Sequence, residues 1–137
     1  MVYLKRTLIV CVLIFVGVIS AYAELRSSVI GPTLGVAEAA KSLGVAPFNE
    51  EKFKNGTSEQ RASMAADLLR RKKDFVGLSF PEVRKRLGRF TGYFWNDQFP
   101  SYLLNDRPAE GTNAWQIVFL PGKGWKVGDI VVNQNNR

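Results

Sequence analysis

The sequence predicts an α+β domain of two layers, two helices followed by a three- or four-stranded antiparallel meander, with the helices covering one sheet face. Three observations carry this prediction. Apolar residues recur at helical spacing over residues 57–88. The period then shortens to strand alternation, clearest in AWQIVFL (114–120), where Trp115, Ile117 and Phe119 share one face and Gln116, Val118 and Leu120 the other. Short connections make a meander the most economical topology.

The chain begins outside this pattern. Lys5 and Arg6 precede TLIVCVLIFVGVIS (7–20), and Ala21-Tyr22-Ala23 follows as a small-x-small triplet. A basic start, a short apolar run and an A-x-A site together define a secretory signal peptide, residues 1–23. The apolar run falls short of the roughly 20 residues that span a bilayer comfortably. Cleavage after Ala23 leaves 114 residues with 17 basic against 12 acidic side chains, a net charge of +5. The single cysteine, Cys11, departs with the signal, and Val10 stands before it where a lipobox wants a small residue. The sequence therefore predicts an exported chain of the periplasm or cell envelope, with no disulfide and no lipid anchor.

Residues 24–56 are rich in Ala, Gly, Ser and Pro and weakly periodic, and are expected to form a flexible or loosely docked arm. VAEAAKSL (36–43) allows two helical turns within it, and Phe48 and Phe53 are candidates to dock on the domain next in the chain. Asn55-Gly56-Thr57 has the form of a glycosylation sequon but reads as a turn into the next helix.

The domain itself is expected over residues 57–133. Thr57 with Gln60 forms a capping box, and Met64, Ala65, Leu68 and Leu69 make an apolar stripe. Arg70, Arg71, Lys72 and Lys73 close this helix, where cations favour the negative end of the macrodipole. In GLSFPEVRKRLG (77–88), Ser79 and Glu82 form a second capping box, and Leu78 can staple onto Val83. Pro81 is tolerated in the first turn. Phe80, Val83 and Leu87 form the buried stripe, leaving Lys85 and Arg86 exposed and Arg84 nearer the edge. Gly88 stops the helix.

Two short aromatic and aliphatic runs (90–95 and 101–104) flank NDQFP, and NDRPAEGT (105–112) is a loop. The strand 114–120 turns back through Pro121-Gly122-Lys123-Gly124 into a last strand, 125–132, whose Gly128-Asp129 suggests a bulge or an edge. Residues 134–137 are expected to fray.

The stretch 77–88 resembles the G-x-[Ser/Thr]-x-x-[Glu/Gln]-V-x-x-x-L-G signature of the SmpA/OmlA, or BamE-like, family of small bacterial envelope proteins. The resemblance covers about residues 57–132. It implies a helical pair followed by three antiparallel strands, and it implies support of outer-membrane assembly through an envelope protein partner. Some members contact anionic phospholipid. Two departures stand out: no lipobox cysteine follows the signal, and Arg89-Phe90 replaces the proline common soon after the helix-ending glycine. No functional residue transfers beyond the structural motif.

Composition narrows the function. The 137 residues contain no histidine, which removes His triads, His metal clusters and His proton shuttles. Asp67, Asp74, Glu82, Asp97, Asp106, Glu110 and Asp129 include no pair spaced to force a carboxylate dyad. Gly122-Lys123-Gly124 lies in a hairpin turn and not before a helix, so it is no phosphate loop. These features predict a non-catalytic protein without cofactor or metal, and export removes nucleic acid as a partner despite a pI of about 9.8. Two binding surfaces are candidates. Tyr93, Trp95, Trp115 and Trp125, joined by Phe94 and Tyr102, could anchor a protein partner. Arg70–Lys73 together with Arg84, Lys85, Arg86 and Arg89 could meet an anionic surface such as phospholipid.

Overall fold

A computed structural model describes residues 30–95, 98–105 and 114–135. Pro32–Arg137 forms one compact unit. The expected signal peptide and residues 24–29 lie outside the described residues.

In chain order the elements are β1 (Thr33–Leu34), α1 (Val36–Leu43), α2 (Glu50–Asn55), α3 (Ser58–Arg70), a 3₁₀ turn (Lys72–Asp74), α4 (Phe80–Leu87), β2 (Ser101–Leu103), β3 (Ala114–Pro121), a second 3₁₀ turn (Lys123–Trp125) and β4 (Val127–Asn135). The strands form one antiparallel sheet in the order β1-β4-β3-β2. The α+β class is as the sequence predicts, with α3 and α4 as the expected capped helices. Both capping boxes are formed: Thr57 with Gln60, and Ser79 with Glu82. The Ser79 N–H donates to the Glu82 carboxylate at 2.7 Å.

The largest difference lies in the expected arm. Its residues 32–56 supply β1, α1 and α2, and Ala39, Phe48 and Phe53 are buried in the main core. Phe53 meets Tyr102 edge-on with ring centroids 5.3 Å apart, so α2 is continuous with the core under the sheet. Polar contacts fix the linkage. The Phe48 N–H donates to Asp67 of α3 at 2.8 Å, and Arg61 Nε donates to the Phe53 carbonyl at 3.0 Å. Gly44 (φ 128°) lets α1 cross close to α3, since a Cβ there would lie 2.9 Å from Ser63 Cα. Small residues thus mark close helix approach here and not a tether. The sheet also gains its fourth strand from this segment, because β1 returns beside β4 and only β2–β4 run as a meander.

The sheet face carrying Tyr102, Ile117, Phe119, Ile130 and Val132 packs with Leu68 of α3, Val83 and Leu87 of α4, and Phe75 in the turn between them. Burying each such side chain is worth roughly 1.5–3 kcal/mol. β4 has a bulge opposite Leu120 and Pro121, which takes up Gly128 as the sequence suggested, but the strand is interior and not an edge where β1 flanks it. The expected frayed tail is shorter than predicted: Gln134 pairs with Trp115, and Asn135 pairs with Ala114. The polar side chains hid a backbone ladder to the start of β3.

Candidate functional site

After Gly88 the chain runs back along the edge of β2, where sequence periodicity gave little guidance. Thr91 and Gly92 donate their N–H groups to the Ser101 carbonyl at 3.1 and 3.0 Å. Gln116, buried on the sheet face away from the helices, holds Tyr93 through both amide atoms: Nε2 donates to the Tyr93 carbonyl (3.0 Å), and Oε1 accepts its N–H (3.2 Å). Gly92 makes that approach possible, since a Cβ there would lie 2.6 Å from Gln116 Oε1. These bonds fix where Phe94 and Trp95 emerge.

Beyond them a row of aromatic rings forms. Trp95 stacks on Phe94 (6.5 Å, 17°), Phe94 leans on Phe99 (6.3 Å, 57°), and Phe99 stacks on Trp125 of the β3–β4 turn (6.3 Å, 11°). Phe80 of α4 supports Phe99 edge-on at 5.8 Å. The inner rings, Phe94 and Phe99, are buried. The outer ones are not: Trp95 is 69% exposed and Trp125 67%. Both tryptophans adopt positive φ, 60° and 58°, a region bulky side chains avoid. Each such residue costs on the order of 1–3 kcal/mol, and such strain concentrates at binding and catalytic sites. The Tyr93 hydroxyl donates to the Trp95 carbonyl at 2.9 Å and helps to hold the first of them.

The other predicted aromatics have structural places. Trp115 packs against the core, and its backbone N–H donates to Asn105 at 2.9 Å. Tyr102 is fully buried, its hydroxyl donating to the Gly88 carbonyl at 3.0 Å, and burial pushes its phenol well above the ordinary range.

The basic residues do not act as one surface. Arg70 pairs with Asp67 (3.8 Å), Arg71 with Asp74 (2.9 Å) and Lys72 with Asp129 (2.7 Å). Arg86 donates to Glu50 and lies over the Phe75 ring at 4.4 Å, so it is half-buried where exposure was expected. Helix rotation explains the difference, because it aims Arg86 at α2, an element the sequence placed in the flexible or loosely docked arm. Lys85 and Arg86 line a mixed-charge groove of about 450 Å³ with Glu50, Glu51 and Glu82. Arg84 and Arg89 instead line a separate cleft of about 320 Å³ with Phe90, Gly92 and Phe99. Arg84 lies over the Phe90 ring at 5.8 Å. Lys73 is exposed and has no ion pair among the described residues.

Four of the seven candidate carboxylates have structural partners. Asp67, Asp74 and Asp129 hold the contacts above. Glu82 accepts the Ser79 backbone N–H, which holds its carboxyl below the ordinary range. Asp97, Asp106 and Glu110 lie outside the described residues. Among the described residues no cluster of carboxylates could hold a metal ion, and no helix is long and apolar enough to cross a membrane.

The chain matches no family model, no curated protein and no solved structure. Its own geometry must therefore carry the functional reading. Sequence reasoning missed Phe99, which links Phe94 to Trp125, and the separation of Arg84 and Arg89 from Lys85 and Arg86. The first had a signal: Phe99-Pro100 is an apolar pair inside the connection NDQFP. The second had none without the position of α2.

Proposed function

We propose that this chain is an exported, non-catalytic module of the bacterial cell envelope that binds a protein partner on the aromatic ridge ending in Trp95 and Trp125. One observation carries the reading: two large apolar side chains stand about two-thirds exposed, in costly backbone conformations, at the two ends of one continuous row of rings. Isolated surface hydrophobes need no explanation, but a supported aromatic patch does. Tryptophan anchors surrounded by water-excluding contacts dominate protein interfaces. The signal-like start and the SmpA/OmlA resemblance of the sequence support an envelope partner and a role in outer-membrane assembly. Binding to an anionic surface through both basic clusters is the weaker reading, because Arg70, Arg71, Lys72 and Arg86 are already paired within the domain.

A photo-crosslinking amino acid placed at position 95 or 125 of the full chain in living cells tests the proposal. Position 115, half-buried against the core, serves as the control. The expected result is a discrete protein adduct from 95 and 125 in the envelope fraction, and none from 115. Adducts to lipid alone, or the same adducts from all three positions, would overturn it.

A further inference from the structure

We infer that the cleft between Arg84 and Arg89 receives a carboxylate of the bound partner, so that the partner presents an acidic peptide segment with an apolar or aromatic side chain beside its Asp or Glu. The inference rests on the reading of the ridge as the recognition surface and adds the chemistry of what binds there.

The cleft and the ridge are contiguous. Phe99 lines the cleft beside both arginines, and it is also the ring on which Trp125 stacks. A segment lying on Trp125 therefore borders the cleft through the shared Phe99 ring. Both arginines are available: neither forms an ion pair among the described residues, in contrast to Arg70, Arg71 and Arg86. Guanidinium groups bind carboxylates through paired, charge-assisted hydrogen bonds, and an aromatic wall lowers the competition from water. The cleft's volume, about 320 Å³, is ample for a carboxylate side chain and the atoms of the segment next to it.

The ring geometry favours a peptide over a bilayer. Trp95 and Trp125 lie nearly parallel to the phenylalanines beneath them, at 17° and 11°. Each indole so presents a flat face, a platform on which a segment can lie. Bilayer insertion calls for apolar side chains on one protruding face and a dense field of cations around it. Here the cations on α4 are divided between two grooves, and the one facing α2 contains carboxylates.

The test is a display library of random heptapeptides selected on the immobilised full chain, and in parallel on R84Q/R89Q and W95A/W125A. Peptides selected on the native chain are expected to carry Asp or Glu beside Phe, Tyr, Trp or Leu. The strongest of them, made synthetically, should bind R84Q/R89Q at least about tenfold more weakly, and its Asn or Gln version should lose a similar factor on the native chain. Both arginines are exposed, so circular dichroism of R84Q/R89Q should match that of the native chain. Neutral or basic selected sequences, or equal affinity for R84Q/R89Q, overturn the acidic partner. If W95A/W125A still abolishes binding in that case, the ridge stands and only the cleft's role falls. If no peptide is selected and tryptophan fluorescence instead responds to phosphatidylglycerol vesicles, the ligand is a bilayer and both readings fall.

Discussion

Two groups of aromatic rings in this domain have similar composition and opposite fates. Under the sheet, Phe53, Phe75, Tyr102 and Phe119 meet edge-to-face at 5.3 to 6.1 Å, and all four are fully buried. At the ridge, Trp95, Phe94, Phe99 and Trp125 include two nearly parallel stacks, and the row ends in solvent on both sides. Edge-to-face contact satisfies the ring quadrupole from several directions at once and suits a closed interior. Stacking leaves one face of each terminal ring open. The backbone differs too, for positive φ among non-glycine residues of the described chain occurs at Trp95 and Trp125 alone. The first group stabilises the fold, whereas the second is held by the fold at a local cost.

The largest effect that could break this contrast is Phe53→Ala. Removing a fully buried ring from α2 is expected to cost about 3–5 kcal/mol, a large share of the stability of a domain this small. Urea denaturation measures it, and a loss below about 1 kcal/mol would mean that residues 32–56 are loosely attached after all. Ser79→Ala removes the cap of α4, the helix that sends Val83 and Leu87 to the core and Arg84 to the cleft. A loss of about 1 kcal/mol is expected, read as a lowered denaturation midpoint. Trp125→Gly should behave unlike either. Glycine relieves the positive φ while the stack on Phe99 is lost, and these opposing contributions of about 1 kcal/mol each leave stability nearly unchanged. A thermal scan that showed strong destabilisation would move Trp125 into the structural group.

The smallest effect concerns pH. Glu82 is held below the ordinary carboxylate range by the Ser79 backbone N–H, then by the Ser79 hydroxyl. A carboxyl with a depressed folded value contributes stability that is fully present above its unfolded pKa and lost as pH falls through the folded one. The melting temperatures of the native chain and of Glu82→Gln should therefore differ at neutral pH and converge in acid below the ordinary carboxylate range. A constant difference would show that the charge of Glu82 is immaterial to the cap.

The sequence made the capped helices and the alternating strand legible because each rests on local chemistry. Ser79 with Glu82, Thr57 with Gln60, and Trp115-x-Ile117-x-Phe119 announce themselves within a few residues. The segment 32–56 was illegible for the opposite reason. Gly44 and the alanines of α1 signal flexibility in isolation, and only the nearness of α3 shows that they serve close packing. Gln134 and Asn135 misled likewise, since strand pairing depends on the partner's backbone and not on polarity. At the ridge, composition identified Trp95 and Trp125 as candidates, but equally Trp115 and Tyr102, which the core claims. Their separation depends on the turn geometry at Gly92 and at Lys123–Trp125, which no periodicity encodes.

The claim that the ridge serves recognition and not stability is tested most directly by one comparison. A photo-crosslinker at Lys126, exposed beside Trp125, is carried by the native chain and by W95A/W125A at equal abundance in cells. The protein adduct is expected to fall about tenfold or more in the double variant while its melting temperature stays within a few degrees of the native value. An undiminished adduct from a folded double variant would contradict it.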